Sequence, residues 1–480
     1  MRDAVVFFLN GERHSVGGED AFRNISEFLR YQRGLTGTKV VCAEGDCGAC
    51  TVLVARYRNG VLGPYRTLNS CIAPVFTLDR CHLVTVEGLK MGDRLHPVQE
   101  SMIEAHGAQC GYCTPGFICS LASLVEDSKI ENGDSLTPKK VRNALTGNLC
   151  RCTGYEPIIE AGIRVDLSTA PSIGEIYDPG PMQRAFEALP SDAVEIQHLG
   201  RRVHLSQTLD GALEFLSKNP DARVISGSTD LGVVANKRHQ RPSVLLGMHS
   251  VSELYAVQHE DAFVRVGARV SLSDLEQELE AEFPEFTRSL HLFASPQIKN
   301  SGTLVGNFMN ASPIGDTIPF LRVAEATLEL QSSAGDRLVA VEDFVKPGYK
   351  ELDLRPGEIV VAIRIPKTQS KFKIYKASNR KDLDISTVAF AARYRVEKGC
   401  LVDFALALGG VASSVVRLPS IEARLRGLDL KDPLTPERFH DAASALRTEI
   451  HPISDVRASE EYRRQVSYHF LLRFYEEVSV

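Results

Sequence analysis

The chain has 480 residues, more than one hydrophobic core supports, so three or four domains are expected. Its 55 Lys and Arg stand against 61 Asp and Glu for a net charge of -6, and no long basic run or basic helix face is present, which argues against a nucleic-acid partner. The N-terminal MRDAVVFFLNGERHSV lacks the regions of a signal peptide, and nowhere do ~18 apolar residues run together, so a cytoplasmic protein without membrane association is expected.

In chain order, AVVFFL and ERHSV flank Asn10-Gly11, a strong short hairpin signal that opens a β-rich domain. AFRNISEFLR at 21–30 carries apolar residues at helical spacing, the Gly- and Cys-rich loop 42–50 precedes a strand TVLVARY, and a second Asn-Gly turn follows at 59–60. This domain is expected over 1–86. Four short helices are then predicted in 87–167: PVQESMIEAHG, GFICSLASLVED after Thr114-Pro115, KKVRNALTG after Thr137-Pro138, and GYEPIIEAG after Thr153. Thr before Pro reads as N-cap and first helical residue, and Gly147 reads as a helix stop. The Pro-, Gly- and Ser-rich 168–192 lacks a clear period and is read as a linker. Short strands alternating with helices predict an α+β domain over 193–367. FKIYKASN, STVAFAARYRVEKG and CLVDFALALGGV predict three consecutive strands in a smaller α+β domain over 368–480.

Ten of the eleven cysteines fall within the first 152 residues, and only Cys400 lies beyond. In a reducing compartment such clustering points to metal or redox chemistry rather than disulfides. Cys42, Cys47 and Cys50, spaced C-x4-C-x2-C, with Cys71 about twenty residues on, have the plant-type [2Fe-2S] spacing. Gly45 and Gly48 would let that loop aim N–H groups at cluster sulfurs. Four thiolates also suit structural zinc, although zinc motifs more typically pair two short knuckles. The second set is Cys110-x2-Cys113 with Cys150-x-Cys152, each pair just before a predicted helix, so that two positive helix N-termini would converge on an anionic centre. Zinc stays open there on spacing alone, and the neighbouring first set favours iron. Cys81, Cys119 and Cys400 have no partners at ligand spacing and read as structural thiols.

EGDCGACT, HPVQE, QCGYCTPG and GNLCRCTGY, followed by VISGSTDLG, VRVGARVSLSDL, FASPQIKNSGTLVGNFMNASPIGD and KASNRKDLDIS, closely resemble the xanthine dehydrogenase family of molybdenum hydroxylases. The resemblance implies a multidomain α+β fold. Its parts would be a β-grasp [2Fe-2S] ferredoxin-like domain, a four-helix [2Fe-2S] domain, an α+β FAD-binding domain and a C-terminal α+β flavoprotein domain. It implies that Cys42, Cys47, Cys50 and Cys71 ligate one cluster, that Cys110, Cys113, Cys150 and Cys152 ligate the other, and that Gln109 and Cys152 face the pterin. Family members usually carry Gly where Val41 stands.

VISGSTDLG reads by itself as a strand, a small-residue turn and a helix whose N–H groups can cradle a pyrophosphate; it is no GxGxxG, and an ordinary strand–helix connection reads the same way. By resemblance, Val224, Ile225, Ser226, Gly227, Ser228, Thr229, Asp230 and Leu231 cradle the FAD diphosphate. Thr303, Gly306, Asn307 and Asp316 form a second set, Phe293 lies near the flavin, and Lys376 and Asp384 occupy a third motif. Asp316 also reads as a helix N-cap before TIPFL. No nucleophile or general base emerges, and His14, His106 and His291 read as surface or core residues; the cofactors would carry the chemistry. The implied function is an electron relay from a molybdopterin centre on a separate large subunit, through two [2Fe-2S] clusters to FAD and on to NAD, during hypoxanthine and xanthine oxidation in an α2β2 heterotetramer. Another molybdenum hydroxylase, acting on an N-heterocycle, an aldehyde, an aromatic thioester or carbon monoxide, is the nearest alternative. A non-catalytic zinc protein would hold no flavin.

Overall fold

The structure, a computed structural model, describes every residue except Asp134, Pro347, Asp382 and Val480. It forms two compact units: Met1–Glu253 with Ser295–Gly302, and Leu254–Ala294 with Thr303–Val480. The residues of 193–367 are therefore shared between the units, the eight-residue stretch Ser295–Gly302 crossing back into the first. No helix among the described residues is long and apolar enough to cross a membrane.

The first unit opens with the predicted hairpin, Ala4–Leu9 against Glu12–Gly17. Asn10 and Gly11 both take positive φ, 49° and 85°, the backbone that a tight two-residue turn between twisted strands requires. Asn59 and Gly60 repeat it, at 51° and 84°. The sheet runs Glu12–Gly17, Ala4–Leu9, Cys81–Val84, Thr51–Arg58, Val61–Leu62, with Arg66–Asn69 also paired to Thr51–Arg58. The pair of Ala4–Leu9 with Cys81–Val84 is parallel, as in a β-grasp. The predicted helix at 21–30 is a short α-turn, Ile25–Glu27, widening into Phe28–Gln32; Ile25, Phe28 and Leu29 are fully buried from it.

The four predicted helices are Pro97–Glu104, Thr114–Ile130, Pro138–Ala144 and Glu156–Arg164. Val98, Phe117, Leu121, Val141, Ile158 and Ala161 close their common core. Thr137 caps as expected, its hydroxyl accepting from Lys140 N at 3.3 Å. Thr114, the other Thr before Pro, is not a cap. Cys113 is the N-cap of Thr114–Ile130, and Tyr155, at φ 72°, is that of Glu156–Arg164. Gly147 is no helix stop: Leu145 is the C-cap, and Gly147 is instead packed so tightly that a Cβ there would lie 1.9 Å from Gln297 Oε1.

The expected linker is largely helical, Ile173–Ile176 and Pro179–Glu187, and packs back on the sheet. Phe186 is fully buried, edge-on to Phe8 at 5.3 Å between ring centres, and Tyr177 donates to Gly88 O at 2.6 Å. A four-stranded sheet, ordered Val194–His198, Arg201–Leu205, Val244–Gly247, Arg223–Ile225, completes this unit.

The second unit has a five-stranded sheet, Val257–His259, Phe263–Gly267, Ile359–Pro366, Thr327–Ser332, Gly335–Ala340. Its other sheet is the predicted run of strands, Lys371–Ala377, Val388–Glu397 and Cys400–Gly409, extended by Val416–Arg417. Helices Pro419–Leu425, Thr435–Glu449 and Glu460–Val478 follow, burying Leu425, Phe439, Leu446, Leu471 and Phe474 with the strand residues Phe390 and Phe404.

Two outcomes follow from the first unit. Phe186→Ala should destabilise it by about 3–5 kcal/mol, because it empties a fully packed site; unchanged denaturant unfolding would mean that 168–192 is a free tether. His82 is fully buried, accepting from Gly11 N at 3.1 Å and lying 2.7 Å from Tyr65 Oη. Burial pushes its pKa from 6.5 down to about 4. The folded state therefore holds His82 neutral while the unfolded chain takes up a proton. The contribution of His82 should be full above pH 6.5 and fall by roughly 3 kcal/mol as pH drops toward 4, so acid unfolding of His82→Gln should be shallower than that of the unsubstituted chain by about that amount.

Candidate functional site

The loop that carries Cys42, Cys47 and Cys50 turns through three left-handed residues, Ala43, Gly45 and Gly48, at φ 54°, 76° and 68°. This brings N–H groups onto sulfur: Cys47 N donates to Cys42 Sγ at 3.4 Å. The Cys42 thiol is held well below its ordinary pKa, chiefly by the Cys47 and Cys71 thiols that hydrogen-bond to it, then by the N–H groups of Glu44 and Cys47. The thiols of Cys50 and Cys71 are likewise neighbours, so the four form one connected set. Asn69 Nδ2 braces the loop by donating to Gly45 O at 2.7 Å. Val41 is exposed and has no positive φ, so its side chain stands in solvent without strain.

In the second set Cys110 and Cys152 are exposed, with their sulfurs 3.5 Å apart, and Gln109 is exposed beside them. Cys113 and Cys150 lie inward and also adjoin. Both pairs stand at helix starts, as the spacing predicts. The Cys110 thiol is lowered, first by the Tyr112 N–H and then by the Cys152 thiol. Burial opposes ionisation of Cys150, but the hydroxyl and N–H of Thr153 and the Cys152 N–H outweigh it; the Thr153 hydroxyl lies 3.3 Å from this sulfur. Burial, then Cys150, pushes the Cys113 thiol up to about 12. All eleven cysteines are free thiols. As the side chains stand, no three or more His, Cys, Asp or Glu among the described residues are set to hold a single metal ion. Four adjoining thiols met by N–H donors, on a loop whose glycines leave it open, fit an anionic thiolate-ligated cluster.

The flavin-type residues fall on both units. In the first, Arg223–Ile225 leads through Ser226, Gly227 and Ser228 into the helix Thr229–Lys237. Ser228 is left-handed, at φ 58°, and a Cβ on Gly227 would lie 1.9 Å from Ser301 O. The turn therefore keeps its backbone bare because another strand of backbone crosses it. Val224 and Leu231 are half-buried, Ile225 is buried, and Asp230 is exposed in the helix's first turn.

In the second unit Thr303 caps the helix Leu304–Met309, its hydroxyl accepting from Gly306 N at 2.9 Å. Asn307 Oδ1 accepts from the Thr317 hydroxyl at 2.6 Å. Asp316 is no N-cap: Thr317 holds that position, and Asp316 Oδ2 pairs with Lys376 Nζ at 2.8 Å. Lys376 also donates to Leu292 O at 3.2 Å, next to the half-buried Phe293. Asp316, Lys376 and the chain at Phe293 are thus brought together. Asp316 Oδ1 is buried without a partner among the described residues, an acceptor of the kind a ribityl or ribose hydroxyl satisfies. Asp384 lies apart in its own loop, accepting from Arg380 N at 2.8 Å.

Residues 196–368 match the FAD binding domain in molybdopterin dehydrogenase, 85–162 the [2Fe-2S] binding domain, and 373–478 the CO dehydrogenase flavoprotein C-terminal domain. Xanthine dehydrogenase/oxidase of Mus musculus is 30% identical over 98% of this chain and 39% of its own length. The chain belongs to the molybdenum hydroxylase family. It carries that family's iron-sulfur and FAD portion, and spans about two fifths of the length of the curated relatives it matches. Xanthine dehydrogenase of Drosophila pseudoobscura pseudoobscura is 31% identical over 93% of the chain and 37% of its own length. Solved structures are also similar. A Cu,Mo-CO dehydrogenase chain superposes with a TM-score of 0.54 at 28% identity, covering 58% of this chain and 96% of its own. A quinoline 2-oxidoreductase chain from Pseudomonas putida 86 gives 0.53 at 26%, covering 57% and 95%.

Sequence reasoning missed Gln297, Asn148, Ser120 and Thr51, which meet between the cysteine loops; Gln297 was legible only as part of a family string. Gly227→Ala should destabilise the first unit by about 1–3 kcal/mol through overpacking and release its flavin. A thermal melt and bound-FAD content both equal to the unsubstituted chain would refute the close crossing with Ser301.

Proposed function

We propose that this chain is the electron-transfer component of a xanthine dehydrogenase, working with a molybdopterin-binding large subunit in a cytoplasmic α2β2 assembly and delivering electrons to NAD. When bound, the [2Fe-2S] clusters carry electrons singly and FAD gathers them into the pair that leaves as hydride. The residues supply the rest. Cys42, Cys47, Cys50 and Cys71 hold one cluster; Cys110, Cys113, Cys150 and Cys152 hold the other, the exposed Cys110 and Cys152 marking the side open to the large subunit. The backbone of Val224 to Leu231 holds the FAD diphosphate, and Asp316, positioned by Lys376, accepts from a flavin-side hydroxyl. No side chain of this chain is assigned acid–base work.

The observation that supports xanthine is coverage. Curated xanthine dehydrogenases align with 93–99% of the chain, across both cysteine sets and the flavin motifs. The CO dehydrogenase and quinoline oxidoreductase chains cover 56–58% of it. Their identities of 25–28% are close to those of the xanthine dehydrogenases, and this favours a second reading in which the same component serves another molybdenum hydroxylase.

Low-temperature EPR of the anaerobically reduced chain, with iron, zinc and flavin measured on one sample, tests the reading. Two distinct [2Fe-2S] signals, about four irons and one FAD per chain are expected, and NADH should bleach the flavin. Zinc without flavin would overturn it. Oxidation of xanthine, rather than quinoline or CO, by the chain co-purified with its large subunit separates the two readings.

A further inference from the structure

Gln297 is almost fully buried, in the stretch that crosses back into the first unit. Its Nε2 lies 3.2 Å from Thr51 Oγ1, 3.3 Å from Ser120 Oγ and 3.2 Å from Asn148 Oδ1. All three oxygens are ready to accept. Thr51 spends its own proton on Gly48 O at 2.6 Å, and Ser120 spends its proton on Asn148 Oδ1 at 2.7 Å. A reversed amide would set Oε1 against the Asn148 oxygen, so the orientation is fixed. Gln297 Oε1, without a partner among the described residues, faces Gly147.

Two of the contacts lead straight to a ligand loop, and Ser120 reaches one through Asn148. Thr51 adjoins Cys50, and Asn148 lies two residues before Cys150 and donates from Nδ2 to Gly48 O at 3.2 Å. The loops themselves join where Leu149 N donates to Cys47 O at 3.0 Å. That bond runs from the residue next to Cys150 directly into Cys47, a ligand position of each set, and a Cβ on Gly48 would lie 2.2 Å from Gly147 O.

We propose that Gln297 is a positioning residue that locks the two cysteine loops together, so that the Leu149 N–H···O=C Cys47 hydrogen bond is the bonded route by which an electron passes between the two iron-sulfur centres. The inference rests on the relay reading above. With both centres bound, one electron would leave the centre held through Cys150 and reduce the centre held through Cys47; no covalent bond would form or break and no proton would cross. An electron tunnels more readily through a chain of bonds with one short hydrogen bond than across open space. A clamp made of a two-donor amide shared among three acceptors keeps that hydrogen bond from opening.

The test uses the full chain, reduced anaerobically, with Gln297→Ala and two milder variants, Ser120→Ala and Thr51→Val, each of which removes one acceptor. Asn300→Ala, which removes contacts to Thr67 on the same stretch, is the control. The readouts are iron and flavin content, the g-values of each centre, the magnetic splitting when both are reduced, and the inter-centre rate after flash photoreduction. Gln297→Ala should keep iron, flavin and g-values yet lose the splitting and slow the transfer, with Asn300→Ala unaffected. Splitting and rate equal to the unsubstituted chain would overturn the proposal. If Gln297→Ala sheds iron, the milder variants decide: a partial loss of splitting supports the route, and no change in either overturns it. An unsubstituted chain without two [2Fe-2S] signals would instead overturn the relay reading itself.

Discussion

Two loops can lie backbone to backbone only where no Cβ stands between them, and the first unit meets that constraint at a run of contacts between its cysteine segments. A Cβ on Gly116 would lie 2.2 Å from Gly48 O, one on Gly48 as close to Gly147 O, and one on Gly147 closer still to Gln297. Gly48 thereby touches both the start of the helix after Cys113 and the turn before Cys150. Because interiors pack at crystal density, a methyl at any of these points would push apart segments that belong to different domains by sequence. The arrangement of the two thiol sets thus depends on missing atoms as much as on the cysteines.

What the sequence made legible was local. Asn10-Gly11 and Asn59-Gly60 specify their turns by φ alone, cysteine spacing marks both thiol sets, and the four helices follow from apolar period. What it hid was partnership across the chain. Phe186 looks like one aromatic in a Pro-rich connector until Phe8 is beside it. Gly147 has the right residue type and position for a helix stop, and only the approach of Gln297 shows why it is glycine. Asp316 sits where an N-cap belongs, yet its carboxylate goes to Lys376, sixty residues away; a buried charge takes the stronger partner. The capping prediction at Thr114 slipped by one residue because Cys113, at the end of the cysteine turn, sets where that helix begins.

The second unit holds its flavin-type residues by a different device. Arg463, almost fully buried on the C-terminal helix, donates to Thr387 O, to Gly410 O at 3.2 Å and to Asp455 at 2.8 Å. Gly410 N in turn donates to Pro313 O at 2.7 Å, three residues before Asp316. A guanidinium is suited to this because its planar fork meets several carbonyls at once and it stays charged when buried. Removing it would leave two buried carbonyls unsatisfied at the turns that flank the sheet, so the last helix is bound into the geometry of the Asp316–Lys376 pair although no residue of it belongs to the motif.

These devices also bear on why relatives with different substrates remain about equally similar to this chain. The glycine contacts, the N–H groups at sulfur and the Arg463 fork all act on where backbone and thiols lie. A purine, a quinoline or carbon monoxide presents the same demand to such a scaffold, which is to keep centres at fixed separations. The chemistry that separates xanthine from its rivals has to be sought in the groups that touch the molecule being oxidised.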